Sequence, residues 1–431
     1  MFFLWPYVVL AVAVYAIYLK MGVRQDKKNI AIKISNIEAG LTEPSSLHPV
    51  IDPSMCLGCA SCVSACPEKS VLGVIGGKAE LIEPTHCIGH GACKTACPTS
   101  AISLVFGTAE RGVDLPRVGP DFQSNVPGVF IAGELGGMGL IRNAVEQGKQ
   151  AVESVRKISG LGQAGQIDLA IIGAGPAGFA SALAAKQAGL SYLVIEQDDL
   201  GGTVFKYPRG KVVMTAPAKL PIVGQMNFKE VSKEKLLEFW RSVEAEQKLN
   251  VRYRDRVESI TKTETGFEIK SQHGVTKSRA VLLAIGRRGT PRRLGVPGED
   301  QKKVVYQMVD PEQFKGQHVL VVGGGDSALE AATSIADQPG TTVTLSYRSE
   351  AFGRAKTKNR EKVAAQSSTG RLNVQLKSQV KKIDEDEVEL QCADGLRRIP
   401  NNAIIVCAGG ILPTDFLKSI GINMETKYGT A

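Results

Sequence analysis

The chain carries no nucleic-acid-binding module, no positive charge ahead of its apolar N-terminal stretch, and only two cysteines, Cys392 and Cys407, outside residues 56–97. Each absence removes a class. Without a recognisable reading helix or sheet, the net charge of +9 does not indicate DNA or RNA binding. It suits phosphate-bearing cofactors, anionic lipid or an acidic protein partner. Without basic residues before it and a small-residue cleavage site after it, residues 2–19 do not read as a signal peptide. The remaining seven of nine cysteines crowd into residues 56–97, which points to metal ligation rather than a secreted disulfide framework.

The 431 residues suffice for roughly three domains. Residues 2–19 hold no charge, and as a helix they span about 27 Å, close to a bilayer core. Trp5, Tyr7, Tyr15 and Tyr18 sit near the ends of the stretch, as interface anchors would. Lys20, Arg24, Lys27 and Lys28 follow it. The positive-inside rule then predicts a single-pass cell-membrane anchor over 1–20, with the N-terminus outside and the soluble domains cytoplasmic. Residues 21–49 read as a polar linker.

Two cysteine runs come next: Cys56-x-x-Cys59-x-x-Cys62-x-x-x-Cys66-Pro67 and Cys87-x-x-His90-x-x-Cys93-x-x-x-Cys97-Pro98. The first has the bacterial ferredoxin spacing. A zinc site rarely needs two such four-ligand runs, each followed by proline. The pair resembles a ferredoxin with two [4Fe–4S] clusters over residues 50–107. The resemblance implies that each run gives its last cysteine to the other cluster. Cluster one would use Cys56, Cys59, Cys62 and Cys97. Cluster two would use Cys87, Cys93 and Cys66, with position 90 as the fourth ligand. There the chain has histidine. His90 could ligate iron, the site could lose one iron and become [3Fe–4S], or His90 could be structural with cluster two absent.

Residues 168–178, Asp-Leu-Ala-Ile-Ile-Gly-Ala-Gly-Pro-Ala-Gly, join an apolar strand to a helix through Gly173-x-Gly175-x-x-Gly178. A second strand, Tyr192-Leu-Val-Ile195, ends at Glu196. This is a dinucleotide fingerprint: glycines for the turn and for close approach to a pyrophosphate, an acid for the ribose. The motif alone leaves FAD and NAD both open. A second fingerprint follows at His318-Val-Leu-Val-Val322 and Gly323-Gly-Gly325-Asp-Ser-Ala328. Its next strand ends at Arg348, followed by Arg354, where an acid would favour NAD; arginine suits the 2′-phosphate of NADP, so NADPH is preferred over NADH. Ser327 could touch the pyrophosphate. Residues 341–382 hold ten Lys/Arg and two Asp/Glu, a balance of +8 that could serve a partner or lipid.

Asn125-Val-Pro-Gly-Val-Phe-Ile-Ala-Gly-Glu134 and the helix that starts near Leu140 resemble the C-terminal flavin-binding segment of thioredoxin-reductase-like flavoproteins. The likeness covers roughly residues 112–431 and extends to bacillithiol disulfide reductases and to ferredoxin–NADP reductases of the thioredoxin-reductase type. It implies that Gly133 and Glu134 contact FAD, with Glu134 where the family usually has Asp. It places flavin-side glycines at Gly201 and Gly202, followed by Thr203, and makes the Gly173 site the FAD site. In that family the Gly133 segment ends the chain; here it precedes the Gly173 fingerprint. Circular permutation accounts for this, with residues 159–165 joining old C-terminus to old N-terminus. Residues 422–430 are then expected beside 112–118, within one chain or across a swapped homodimer. The redox Cys-x-x-Cys of thioredoxin reductases is absent from residues 306–314, so no dithiol can act there.

The expected fold is α/β: Rossmann-like FAD (161–294) and NADPH (295–409) domains, a permuted segment at 108–160, a return to the FAD domain at 410–431, a small α+β ferredoxin-like domain and one transmembrane helix. The expected protein is a membrane-anchored oxidoreductase passing electrons between NADPH, FAD and iron–sulfur clusters, to or from a protein or small-molecule redox partner. Catalysis needs no side-chain acid or base. A low-molecular-weight disulfide reductase and a non-catalytic redox sensor are the rival readings.

Overall fold

The computed structural model describes every residue except 1–4, 39–40, 45–46, 69, 88, 110–111, 138, 216, 229, 288, 354 and 430–431. Two compact units divide the chain: Met1–Val113 with Ala351–Thr357 and Lys427–Ala431, and Asp114–Glu350 with Lys358–Thr426.

The first unit begins with helix α1 (Trp5–Glu38). The helix bears on two expectations. It continues through the polar residues read as a linker, because Asn29, Lys33 and Asn36 recur at helical spacing and each finds a partner on one hairpin. Asn29 Nδ2 donates to the Val74 carbonyl at 2.8 Å, Asn36 Nδ2 donates to the Ile82 carbonyl at 3.1 Å, and Lys33 pairs with Glu80. The membrane anchor also lacks support: among the described residues no helix is long and apolar enough to cross a membrane. Leu10, Val12, Val14 and Ile17 are exposed along α1, with Tyr7, Tyr15 and Lys20 among them.

The rest of this unit is small. Strand β1 (His48–Ile51) and helix α2 (Ser61–Ala65) are followed by the hairpin β2 (Leu72–Ile75) and β3 (Lys78–Leu81). Helix α3 (Ala92–Thr95) and β4 (Ile102–Val105) complete it, and β4 pairs antiparallel with β1. The two cysteine runs fold alike. Ala60 and Gly91 each take a left-handed conformation (φ 59° and 78°) and turn the chain into α2 and α3.

The second unit opens with β5 (Val113–Pro116), β6 (Val129–Ile131) and α4 (Ile141–Val155), then β7 (Ile167–Ile172), α5 (Pro176–Gln187) and β8 (Tyr192–Ile195). Two short antiparallel ladders follow, β9 (Val212–Met214) with β12 (Glu230–Ser232) and β10 (Ala218–Leu220) with β11 (Gly224–Met226). After α6 (Lys233–Gln247) come β13 (Val251–Arg252), β14 (Val257–Lys262), β15 (Phe267–Ser271) and the long β16 (Gly274–Leu283). Leu236, Leu237, Trp240 and Val243 of α6 are buried and Phe239 is half-buried, a face at helical spacing. The sheet runs β13-β8-β7-β16-β15-β14, with β6 on the other side of β16. The C-terminal half of β16 is parallel to both β7 and β6. Alternation splits these strands between two cores: Leu169, Ile171 and Leu282 face α4 and α5, while Ala170, Ile172, Val281 and Leu283 join Phe267, Ile269 and Leu417.

The second half of this unit is another parallel sheet, β18 (Val304–Val305), β19 (His318–Val322), β20 (Thr342–Tyr347), β21 (Leu372–Leu376) and β25 (Ala403–Val406), in the order β18-β25-β19-β20-β21. Helices α7 (Asp326–Ala336) and α8 (Thr357–Ser368) follow β19 and β20. An antiparallel sheet of β22 (Gln379–Ile383), β23 (Glu387–Cys392) and β24 (Gly395–Pro400) is inserted before β25. The two stretches that connect the halves, containing β17 (Thr290–Pro291) and β26 (Gly410–Ile411), pair with each other. The chain finishes with α9 (Thr414–Ser419) and β27 (Met424–Lys427), and β27 pairs with β5 in the same chain.

The displaced segment therefore lies beside the first fingerprint of its own chain. α4 and α5 meet closely: a Cβ added at Gly148 would lie 2.3 Å from the Ala177 carbonyl, and Ser181 Oγ donates to the Gly148 carbonyl at 3.1 Å. Gly148→Leu forces these helices apart. It should lower stability by about 1–3 kcal/mol, as overpacking does, and thermal melting with a flavin assay should show a lower Tm and reduced FAD content together.

Candidate functional site

Cys56, Cys59, Cys62 and Cys97 line one cavity, with Ile51, Ala79 and Ile102 among its other walls. This is the interlocked set: three cysteines of the first run and the last of the second. Cys66, Cys87 and Cys93 are buried, and their thiols act on one another electrostatically. Burial pushes the Cys87 thiol up to about 11, so iron binding there must displace a proton. The Nε2 of His90 is buried with no hydrogen-bond partner among the described residues, and burial lowers the ring's pKa. A neutral imidazole with an orphaned ring nitrogen is a fit ligand for iron.

Among the described residues no three His, Cys, Asp or Glu side chains converge as a single metal ion would require. A zinc ion draws its thiolates to about 2.3 Å from one centre. A multi-iron cluster binds each thiolate through a different iron and holds the sulfurs farther apart. The cavity, lined by four cysteines drawn from both runs, suits such a cluster.

Sequence reasoning did not anticipate the hairpin's part in this site. Ala79 N–H donates to Cys56 Sγ at 3.4 Å, and Lys78 Nζ donates to the Cys56 carbonyl at 2.7 Å. A Cβ on Gly58 would lie 2.1 Å from the Gly77 carbonyl. The hairpin that α1 grips is therefore packed against the loop of Cys56 and Cys59, a contact that no spacing signals.

At the first fingerprint, Gly173 has φ 104°, and a Cβ there would meet the Ala284 carbonyl at 2.6 Å. A Cβ on Gly178 would lie 1.8 Å from the Gly173 carbonyl, so only glycine lets α5 start here. Gly175 caps the helix in an extended conformation with Pro176 at its first position. Gly202 approaches Gly175 from the facing loop: a Cβ on Gly202 would meet Gly175 Cα at 3.1 Å, and Thr203 follows in the same turn. Glu196 is buried at the end of β8. Its Oε2 accepts from Ala174 N–H at 2.7 Å and its Oε1 from Asp198 N–H at 2.8 Å. Burial holds its carboxyl above the ordinary range, against these two donors. Each oxygen keeps a lone pair for a ribose hydroxyl.

Gly133 joins this group. A Cβ on it would meet Ala177 Cβ at 3.0 Å, and its N–H donates to Gln147 Oε1 at 2.8 Å, a partner not foreseen. Glu134 opens a short 3-10 turn, Glu134–Gly136, with its side chain over Gly139 and Gly286. α4 then starts at Ile141, its first N–H groups unpaired within the helix. Both walls of a flavin site thus come together.

At the second fingerprint, a Cβ on Gly323 (φ 146°) would meet the Cys407 carbonyl at 2.5 Å, and one on Gly324 would enter the Tyr347 ring. Gly325 caps α7, with Ser327 in its exposed first turn. Arg348 is exposed just past β20; Arg354 lies outside the described residues. Cys407 sits half-buried just past β25 at this turn. Cys392 is buried at the end of β23.

Residues 170–430 match the family described as pyridine nucleotide-disulphide oxidoreductase, and residues 48–98 match the 4Fe-4S dicluster domain. The chain belongs to the pyridine nucleotide-disulphide oxidoreductase family. A ferredoxin–NADP reductase of Ignicoccus hospitalis is 32% identical over 267 residues, spanning 60% of this chain and 83% of the relative. The bacilliredoxin reductase Bdr of Bacillus subtilis is 27% identical over 60% of this chain and 82% of its own length. The bacillithiol disulfide reductase structure from Staphylococcus aureus shares the fold, with a TM-score of 0.53 and 24% identity over 60% of this chain and 81% of that one. The chain is accordingly an FAD- and NAD(P)-dependent oxidoreductase with an iron–sulfur domain.

The interlocked cysteine set makes a sharp test. Cys97→Ser lies in the second run, yet it should abolish or alter the EPR signal of cluster one and leave that of cluster two. Loss of the cluster-two signal alone would reverse the ligand assignment.

Proposed function

We propose that this chain moves electrons between NADPH and two iron–sulfur clusters by way of FAD, to or from a redox partner that is an electron-transfer protein or a small molecule. The observation that carries the reading is the cavity lined by cysteines of both runs, on a chain that also holds two dinucleotide fingerprints. Bound FAD supplies the exchange between an electron pair on one side and single electrons on the other. The chain's own part is binding and orientation. The glycine turn at 173–178 brings backbone close to a pyrophosphate, Glu196 holds the ribose, and the α4 N-terminus presents N–H groups to the flavin's carbonyl side. Arg348, exposed just past β20, would pair with a 2′-phosphate. The ligand sets are Cys56, Cys59, Cys62 and Cys97 for a [4Fe–4S] cluster one, and Cys66, Cys87, Cys93 and His90 for cluster two.

Disulfide reduction is the second reading, favoured by the likeness to Bdr. Against it, the second unit carries only Cys392 and Cys407 as thiols, and Cys392 is buried. An anaerobic NADPH titration followed by absorbance and EPR separates the readings. Electron transfer predicts rapid flavin bleaching and then reduced-cluster EPR signals. Bleaching with clusters that stay oxidised, together with consumption of a low-molecular-weight disulfide, would select the second reading. A failure to bleach would leave a sensor.

Arg348→Ala should cut the preference for NADPH over NADH by roughly tenfold, the cost of one charge-assisted contact of about 1.5 kcal/mol. Steady-state kcat/KM with both nucleotides checks it, and an unchanged ratio rules out the role given to Arg348.

A further inference from the structure

Helix α8 is capped from far along the chain. The first N–H groups of a helix have no partner within it. That of Thr357, the first residue of α8, donates to His86 Nε2 at 3.1 Å. His86 ends a 3-10 turn, Pro84–His86, directly before the second cysteine run. Its other ring nitrogen, Nδ1, lies 3.2 Å from Glu83 Oε2 and 3.1 Å from Ser70 Oγ. A carboxylate only accepts, so Nδ1 carries the proton and Nε2 is left to accept from Thr357. The side chains of His86 and Glu83 are 17% and 13% exposed, which shelters both bonds from competing water.

Residues Ala351–Thr357 group with the first unit, while the chain on either side of them groups with the second. The stretch starts just after Arg348 and contains Arg354, the two arginines assigned to the 2′-phosphate. The approach to it is fixed by the turn between β21 and β22. Ser378 N–H donates to the Tyr347 carbonyl at 3.0 Å, and Lys377 N–H donates to the Ser349 carbonyl at 3.1 Å. The far end is fixed within the first unit, where Ala355 is wholly buried and Thr357 is bonded to His86. We infer that His86 is a positioning residue for NADPH recognition: by holding the end of the arginine loop, a residue of the cysteine-bearing unit helps to set the preference for NADPH over NADH. The inference rests on the NADPH reading above. NADH has no 2′-phosphate to meet this loop, so loosening its end costs NADPH binding and leaves NADH binding alone.

The test is anaerobic rapid mixing of the full chain, with its cofactors in place, against NADPH and against NADH, followed by flavin absorbance. His86→Ala should raise the half-saturating NADPH concentration roughly three- to tenfold, the worth of one hydrogen bond. The limiting rate and the half-saturating NADH concentration should stay where they were. His86→Gln offers an amide oxygen as acceptor and should restore most of the wild-type value. Thr357→Pro removes the N–H itself, at a helix position where proline is well tolerated, and should reproduce the effect of His86→Ala. If His86→Ala lowers the iron content, Thr357→Pro decides the matter alone. Unchanged NADPH saturation in Thr357→Pro overturns the inference. So does an equal rise for NADH, since the contact would then hold the fold rather than the 2′-phosphate loop. Arg348→Ala, measured alongside, tells two failures apart. If it lowers the NADPH preference while His86→Ala and Thr357→Pro do not, the role of His86 alone is wrong. If it changes nothing and the wild type takes both nucleotides equally, the NADPH reading is wrong and the inference falls with it.

Discussion

Strand β16 carries the second unit. Its last residues, Val281–Leu283, pair with Ala170–Ile172 on one side and with Val129–Ile131 on the other. Every backbone group of this stretch has a neighbour, and its side chains divide between two cores that are closed to water. Removing β6 would leave an open edge on the strand that also holds the flavin fingerprint in place. The flavin site therefore requires the segment that the chain order has moved to the front. Gly133 beside Ala177, and Gly148 beside α5, are the local consequences of that pairing.

The first unit depends on a chain of contacts of a different kind. Polar side chains of α1 hold the β2–β3 hairpin, and the hairpin holds the Cys56 loop. None of these contacts is strong alone. Asn36 is nevertheless buried and hydrogen-bonded, and a buried amide without its partner carbonyl would be costly.

What could be read from the residues alone was whatever is local. Both glycine turns, both cysteine runs and the inward face of α6 depend on short spacings, and each stands where its spacing places it. The displaced segment was legible because Gly133, Glu134 and the helix after them form a recognisable block. Long-range contacts were not legible. Nothing in Lys78 or Ala79 announces a contact with Cys56, and Gln147 looks like any surface glutamine of α4. The polar half of α1 read as a linker because its apolar residues are sparse; its helix is held by side-chain bonds to a hairpin about 45 residues away.

The order of the chain has a further consequence during synthesis. Val129–Ile131 leaves the ribosome about 150 residues ahead of the β16 residues it pairs with, and translation at roughly 5–20 residues per second leaves it waiting for several seconds or more. β5 waits longer, since its partner β27 lies about 310 residues further on. The cysteine runs face no such delay: all their assigned ligands emerge within one short stretch, before the flavin sheet exists. An apolar strand that waits unpaired for a partner not yet made is exposed to aggregation. The permuted order thus makes the nascent chain, more than the finished protein, the stage at which this architecture is vulnerable.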